Sequence, residues 1–249
     1  MKSSLFIGQR RIAYAYLVSH RNCCRNTVVF VRKQMDNHQA SDEIRLKECA
    51  VNTEEIERIG EVIESATSCF TAQCYELDRF PALGALVKTQ NSTRQIYGIV
   101  FNASTEGIDP GRKPLARGKD ASSEEALYEA NPQIAKLLKS EFEALVVGYK
   151  EDDRVFHYLP PQPAPIHSFV YLCPARDVTE FSRSFEFLNT ILNSSVTLPH
   201  EELIAATLRR MGLVQEDKHA FLVAAGKHLA STLSGDFNRL RTILERIRE

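Results

Sequence analysis

The segment Asp109–Asp120 reads DPGRKPLARGKD and places Arg112, Lys113, Arg117 and Lys119 among glycines and prolines. Four cations on a turn-rich loop suit an anion or an acidic partner. Guanidinium and ammonium groups form charge-assisted hydrogen bonds, and successive backbone N–H groups can make a positive concavity. The plainer alternative is a solvated loop of mixed charge. The length of the insertion around it favours a functional role, because long structured insertions in compact domains are often functional. These four residues are the candidate partner or anion contacts.

Other reactive side chains are sparser. His157 and His167 flank a proline run and are the histidines that folding is most able to bring together. Cys173-Pro174 ends a strand-like run and is the candidate thiol nucleophile. Each reads more simply as a structural residue, because no adjacent base or orienting group is visible. Gly226-Lys227 lacks the first glycine of a P-loop, since Phe221 stands there and His228 follows. Gly118-Lys119-Asp120 fails the same test. There is no G-x-G-x-x-G dinucleotide fingerprint and no G-x-S-x-G nucleophile elbow. The sequence therefore points to no catalytic, cofactor or metal-ligating residues, and the chain is not expected to be an enzyme.

The six cysteines, Cys23, Cys24, Cys49, Cys69, Cys74 and Cys173, form no C-x-x-C and read as free thiols in a reducing compartment. The expected location is the cytoplasm. Residues 1–34 hold seven basic residues and no acid. Such a segment is a transit peptide, which would place the protein in the plastid stroma, a disordered basic arm, or an extension upstream of a true start at Met35. Net charge is −1 overall, so the rest of the chain is distinctly acidic. An acidic body argues against generic nucleic-acid binding, which needs a basic footprint. No run of eighteen apolar residues marks a membrane span.

Elements that would position these groups fall into two textures. Short runs rich in Val, Ile, Tyr, Phe and Thr occupy Ile59–Ser65, Cys69–Leu77, Leu83–Thr89, Gln95–Phe101, Phe142–Tyr149 and Arg154–Leu159. They read as strands. Ile96–Phe101 and Phe142–Val147 are apolar on both faces, as strands covered on both sides must be. Six such strands fit a small closed barrel. An insertion, 104–140, interrupts them with a helix start at Ser122–Tyr128 and a second short helix after Asn131-Pro132. The run Pro160–Pro165 reads as a stiff linker, and Ser168–Leu172 as an isolated strand. Helical spacing then covers Val178–Leu192, Pro199–Met211, Glu216–Leu233 and Asp236–Ile247, the last with Asp236 as N-cap. The expected class is α+β, a small closed six-stranded β-barrel with a helical insertion and a C-terminal helical region. The expected divisions are a basic extension and polar lead-in over 1–57, a barrel over 58–160, and a proline linker with a helical domain over 161–249.

The runs Arg58-Ile59-Gly60-Glu61-Val62-Ile63-Glu64, Phe70–Tyr75, Gly84-Ala85-Leu86-Val87 and Ile96-Tyr97-Gly98-Ile99-Val100 resemble the strands of the HerA–ATP synthase (HAS) barrel family. The chain looks most like its standalone members of cyanobacterial and plastid type, with an insertion similar to Asp109-Pro110-Gly111-Arg112. The resemblance covers about 100 residues, those of the barrel. In the family's motor proteins a P-loop ATPase core follows the barrel, and this chain lacks its motif. What the resemblance implies is ring contact or partner docking without ATP hydrolysis. The expected partner is a protein, with a ring ATPase or ATP synthase-type complex foremost, and self-association is open. A nucleic-acid-binding barrel is the first alternative, with Tyr97 and Phe101 as strand aromatics. An enzyme using Cys173, His157 and His167 is the second.

Overall fold

The computed structural model describes residues 57–90, 93–109, 111, 113–119 and 121–248. All lie within the compact unit Thr53–Glu249. Seven strands form: β1 Arg58–Ser65, β2 Cys69–Cys74, β3 Leu86–Gln90, β4 Gln95–Gly107, β5 Leu138–Glu151, β6 Arg154–Phe156 and β7 Phe169–Leu172. Six of them close into an antiparallel barrel in the order β2-β1-β7-β3-β4-β5, with β5 returning to β2. β6 lies outside as a hairpin on the end of β5. The hairpin-connected strands β3, β4 and β5, with β2 beside β5, make a Greek key.

Alternation fixes which side chains fill the barrel. Val62, Phe70, Ala72, Val87, Ile96, Val100, Phe142, Ala144, Val146 and Val170 share one buried cluster drawn from all six staves. Gly98 belongs to this interior: a Cβ there would stand 2.9 Å from the Phe70 ring and 3.0 Å from the Ala144 Cβ. Leu86, Tyr97, Ile99, Phe101, Leu145 and Val147 point outward and are buried with the helices instead. The two apolar faces of β4 and β5 thus have two different covers, the barrel interior and a helical layer.

That layer consists of α2 Ala175–Phe181, α3 Phe187–Leu192, α4 His200–Gly212, α5 Lys218–Thr232 and α6 Phe237–Ile247. Asp217 and Asp236 cap α5 and α6 by accepting from the N–H groups of Ala220 and Arg239. Gly84 (φ +74°) lets the β2–β3 connection meet α4 backbone to backbone. A Cβ there would stand 2.6 Å from the Thr207 nitrogen.

Four expectations are corrected. The sixth stave is β7 rather than Arg154–Leu159, because Ser168–Leu172 is no isolated strand: β7 pairs with β1 and β3 and closes the cylinder. The expected boundary at Pro160–Pro165 therefore falls inside the barrel. Pro160 and Ala164 of that run are buried, Ala164 in the interior cluster, so the run is anchored to the barrel and is no free linker even though Pro161, Pro163 and Pro165 are exposed. The insertion is shorter than 104–140, since β4 and β5 remain paired out to Gly107 and Leu138. Within it lie α1 Glu124–Ala130, capped by Ser123, and a single 3-10 turn at Ala135–Leu137. Finally, Val178–Leu192 is two helices, with the chain turning between Ser182 and Glu186.

Candidate functional site

Three sets of residues were singled out by sequence, and the fold treats them differently. In the basic loop, Lys113, Arg117 and Lys119 are exposed and outside regular structure, while Arg112 lies outside the described residues.

His157 and His167 do not meet. His157 packs against the rings of Phe181 (centroids 4.6 Å) and Phe187 (6.1 Å) between barrel and helices. Burial holds its pKa below the usual histidine range, against a smaller upward pull from Glu186. His167 is exposed at the entry to β7 with φ +67°, and its Nδ1 lies 2.5 Å from Glu61 Oε1. Cys173 is buried in the cluster that also holds Phe181 and Phe187. Burial pushes its thiol well above the ordinary value, against the nearby Lys88 ammonium, which disfavours the thiolate that a nucleophile needs. Cys74 is likewise pushed up to about 11, by burial and then by Glu141. Among the described residues no group of three or more His, Cys, Asp or Glu stands together as a metal-ligand set.

Tyr97 and Phe101, the aromatics expected to serve a nucleic-acid face, are under the helical layer. Tyr97 is 1% exposed and Phe101 7%. The strand aromatics on the surface are others. The helices cover the outer wall of β3, β4 and part of β5, and among the described residues no helix covers the wall of β1, β2 and β7. On that bare wall Tyr75 is 49% exposed and Phe169 43%. The Arg58 guanidinium carbon lies 5.2 Å from the Tyr75 ring and 4.6 Å from the Phe169 ring, a cation held by two aromatic faces. Glu61 ties the two strands flanking β1, accepting from the Tyr75 hydroxyl at 3.3 Å and contacting His167. A shallow recess opens beside this stack, where Arg79 bridges Glu57 (3.2 Å) and Glu76 (2.8 Å).

Register carries the wall onward. Outward positions form two cross-strand rows, Phe169–Glu61–Gln73–Glu141 and Glu64–Thr71–Glu143–Asn102. Lys139 binds Glu141 at 2.6 Å and Asn102 donates to Glu143 at 2.7 Å. Glu141, with Glu106 and Glu64 beyond it, holds the Lys139 ammonium above its usual pKa, the hydrogen bond to Glu141 being the largest cause. No protein-family model matches the chain, and no curated protein sequence matches it significantly.

The sequence reading missed this site. Tyr75 sits in a run that reads simply as a strand, and Phe169 in one that reads as isolated. Only the β1–β7 pairing, at Glu61↔Phe169 and Arg58↔Tyr171, brings the stack together.

Proposed function

We propose that this chain is a non-catalytic interaction or assembly module, a small barrel of the HAS type that works in the cytoplasm without an ATPase motor. The observation that carries the reading is the unequal cover of the barrel wall. One side is sealed by helices, and the other presents Tyr75, Arg58 and Phe169 in a preformed stack. Tyr and Arg are the side chains most enriched among residues that dominate protein–protein binding, and a stacked arginine has already lost much of the freedom that binding would otherwise cost. The groups that might have done chemistry support the same reading by their placement. Cys173 and His157 are in packing, and His167 is spent on Glu61. Within this reading Lys113, Arg117 and Lys119 form a second, cationic contact to an acidic element of the same assembly.

The nucleic-acid reading is disfavoured by the charge of the bare wall, where Glu61, Glu64 and Glu143 would face phosphate. A ring-shaped ATPase or ATP synthase-type complex is the partner class that the resemblance suggests.

Tyr75→Ala/Phe169→Ala tests the module directly. Both side chains are half exposed, so the unfolding midpoint should stay close to wild type. At native abundance, wild-type protein should elute from size-exclusion columns with a larger assembly, and the double variant as the lone chain. Elution of the wild type as a lone chain, or co-elution of the variant with the assembly, overturns the proposal.

A further inference from the structure

Among the helices, α5 lacks the polar outer face that a surface helix normally carries. Its sequence KHAFLVAAGKHLAST holds no acid, and Val223 (42% exposed), Ala224 and Ala230 stand in the open. At helical spacing His219, Val223, Gly226 and Ala230 form one row, and on α6 Phe237, Arg241, Leu244 and Arg248 form another. The rows meet at Gly226, where an added Cβ would stand 3.4 Å from Leu244 Cδ2. Phe237 begins the α6 row 74% exposed, while Ile243 and Ile247 turn inward to the core. The other flank of α6 is closed, since Arg239 pairs with Glu201 and Arg246 with Glu202 of α4. What remains is a shallow apolar seam about 16 Å long, the rise of about eleven helical residues.

The seam selects its occupant by backbone and by charge. Both banks are helices whose N–H and C=O groups are bonded internally, so an extended segment would find no ladder there and would leave its own backbone unpaired. A helix arrives with its backbone satisfied and packs a ridge between two others at an axial spacing of about 8–10 Å. Lys227 rims the α5 bank and is in no ion pair among the described residues. Arg241 and Arg248 rim the α6 bank, whose exposed acid, Glu245, lies 3.7 Å from Arg241. A second copy of this chain would bring these cations against their own kind. We infer that the α5–α6 seam receives an amphipathic helix of a protein partner, its apolar stripe on Val223, Leu244 and Phe237 and its flanking carboxylates on Lys227, Arg241 and Arg248. None of these residues belongs to the Tyr75–Arg58–Phe169 stack, so the two surfaces are independent.

The probe is a capped fourteen-residue peptide with leucines at helical spacing, glutamates flanking them and alanine elsewhere. Its controls carry lysine in place of glutamate, or the same composition with leucines at alternate positions. Affinity is read by fluorescence anisotropy on the whole chain, and location by amide shifts in its NMR spectra. The Glu peptide should bind and shift Val223, Gly226 and Phe237, and each control should bind less tightly. Phe237→Ala changes an exposed side chain, so the unfolding midpoint should hold while affinity falls about tenfold, the equivalent of about 1.4 kcal/mol. Lys227→Gln/Arg241→Gln should weaken the Glu peptide and narrow its margin over the Lys peptide. Failure of the Glu peptide to bind, equal binding by either control, a shift map elsewhere, or an affinity unchanged in either variant overturns the inference. So does a chain that sediments as a dimer and that Phe237→Ala returns to monomer, because the seam would then hold a second copy.

Discussion

His157 lies against Phe181 and Phe187 with its Nδ1 buried and without a hydrogen-bond partner among the described residues. Its value to the fold is that of a flat, neutral ring. Burial lowers its pKa beneath the reference value of 6.5, so the folded chain resists a proton that the unfolded chain accepts. The sign follows: the full contribution is present above about pH 6.5, and stability falls as the pH drops below it toward the folded pKa. Urea midpoints taken at pH 7.5 and 5.5 should therefore diverge more for wild type than for His157→Gln. An equal divergence in the two proteins would place the acid sensitivity elsewhere. The sequence displayed this histidine beside a proline run but carried no sign of the two rings it meets, since Phe181 and Phe187 lie on separate helices more than twenty residues away.

At the scale of elements, α2 shows how a short helix is fixed to a barrel. Phe181 stacks on Tyr97 at 5.0 Å, Glu180 pairs with Lys150 at 2.9 Å, and Asp177 pairs with Lys88 of β3 at 2.5 Å. The last pair is almost wholly buried, with side-chain exposures of 10% and 6%. Removing one member leaves the other charge unpaired, so Asp177→Leu should lower stability by about 3 kcal/mol or more. Replacing both, as Lys88→Met/Asp177→Leu, should restore most of the loss because the site then becomes an apolar contact. Chemical denaturation of the three variants measures this, and a double variant as weak as the single would show that the pair contributes net attraction. Sequence periodicity located α4, α5 and α6 closely, since each is long enough for its stripe to repeat. It ran α2 and α3 together because Phe181, Phe185 and Leu188 keep helical spacing across the break. The break exists because Phe185 packs on Phe221 of α5 at 5.3 Å, whereas Phe187 packs on Phe181 at 5.4 Å. Those are tertiary choices that local spacing does not encode.

Over the whole molecule, the number of barrel staves was legible and the identity of the last was not. Two-sided apolar character in β4 and β5 announces a closed, covered sheet. The four residues of β7, arriving after a proline run, look too short and too isolated to matter. Yet β7 bonds β1 on one edge and β3 on the other, so without it the cylinder has a gap with two unpaired edges. The helices are equally bound in, because their apolar faces and the outer faces of β3, β4 and β5 form one cluster. Barrel and helices should consequently unfold as a single cooperative unit. Phe187→Ala removes a fully buried ring on α3, at a cost of about 3–5 kcal/mol. Its effect should appear equally in a sheet signal and a helix signal, with coincident midpoints, although the residue belongs to no strand. A fragment of residues 58–160, which would hold a complete barrel had the prolines marked a domain boundary, should show no cooperative transition. Separate midpoints in the full chain, or a sharp transition in the fragment, would mean that the barrel stands by itself and that β7 is dispensable to it.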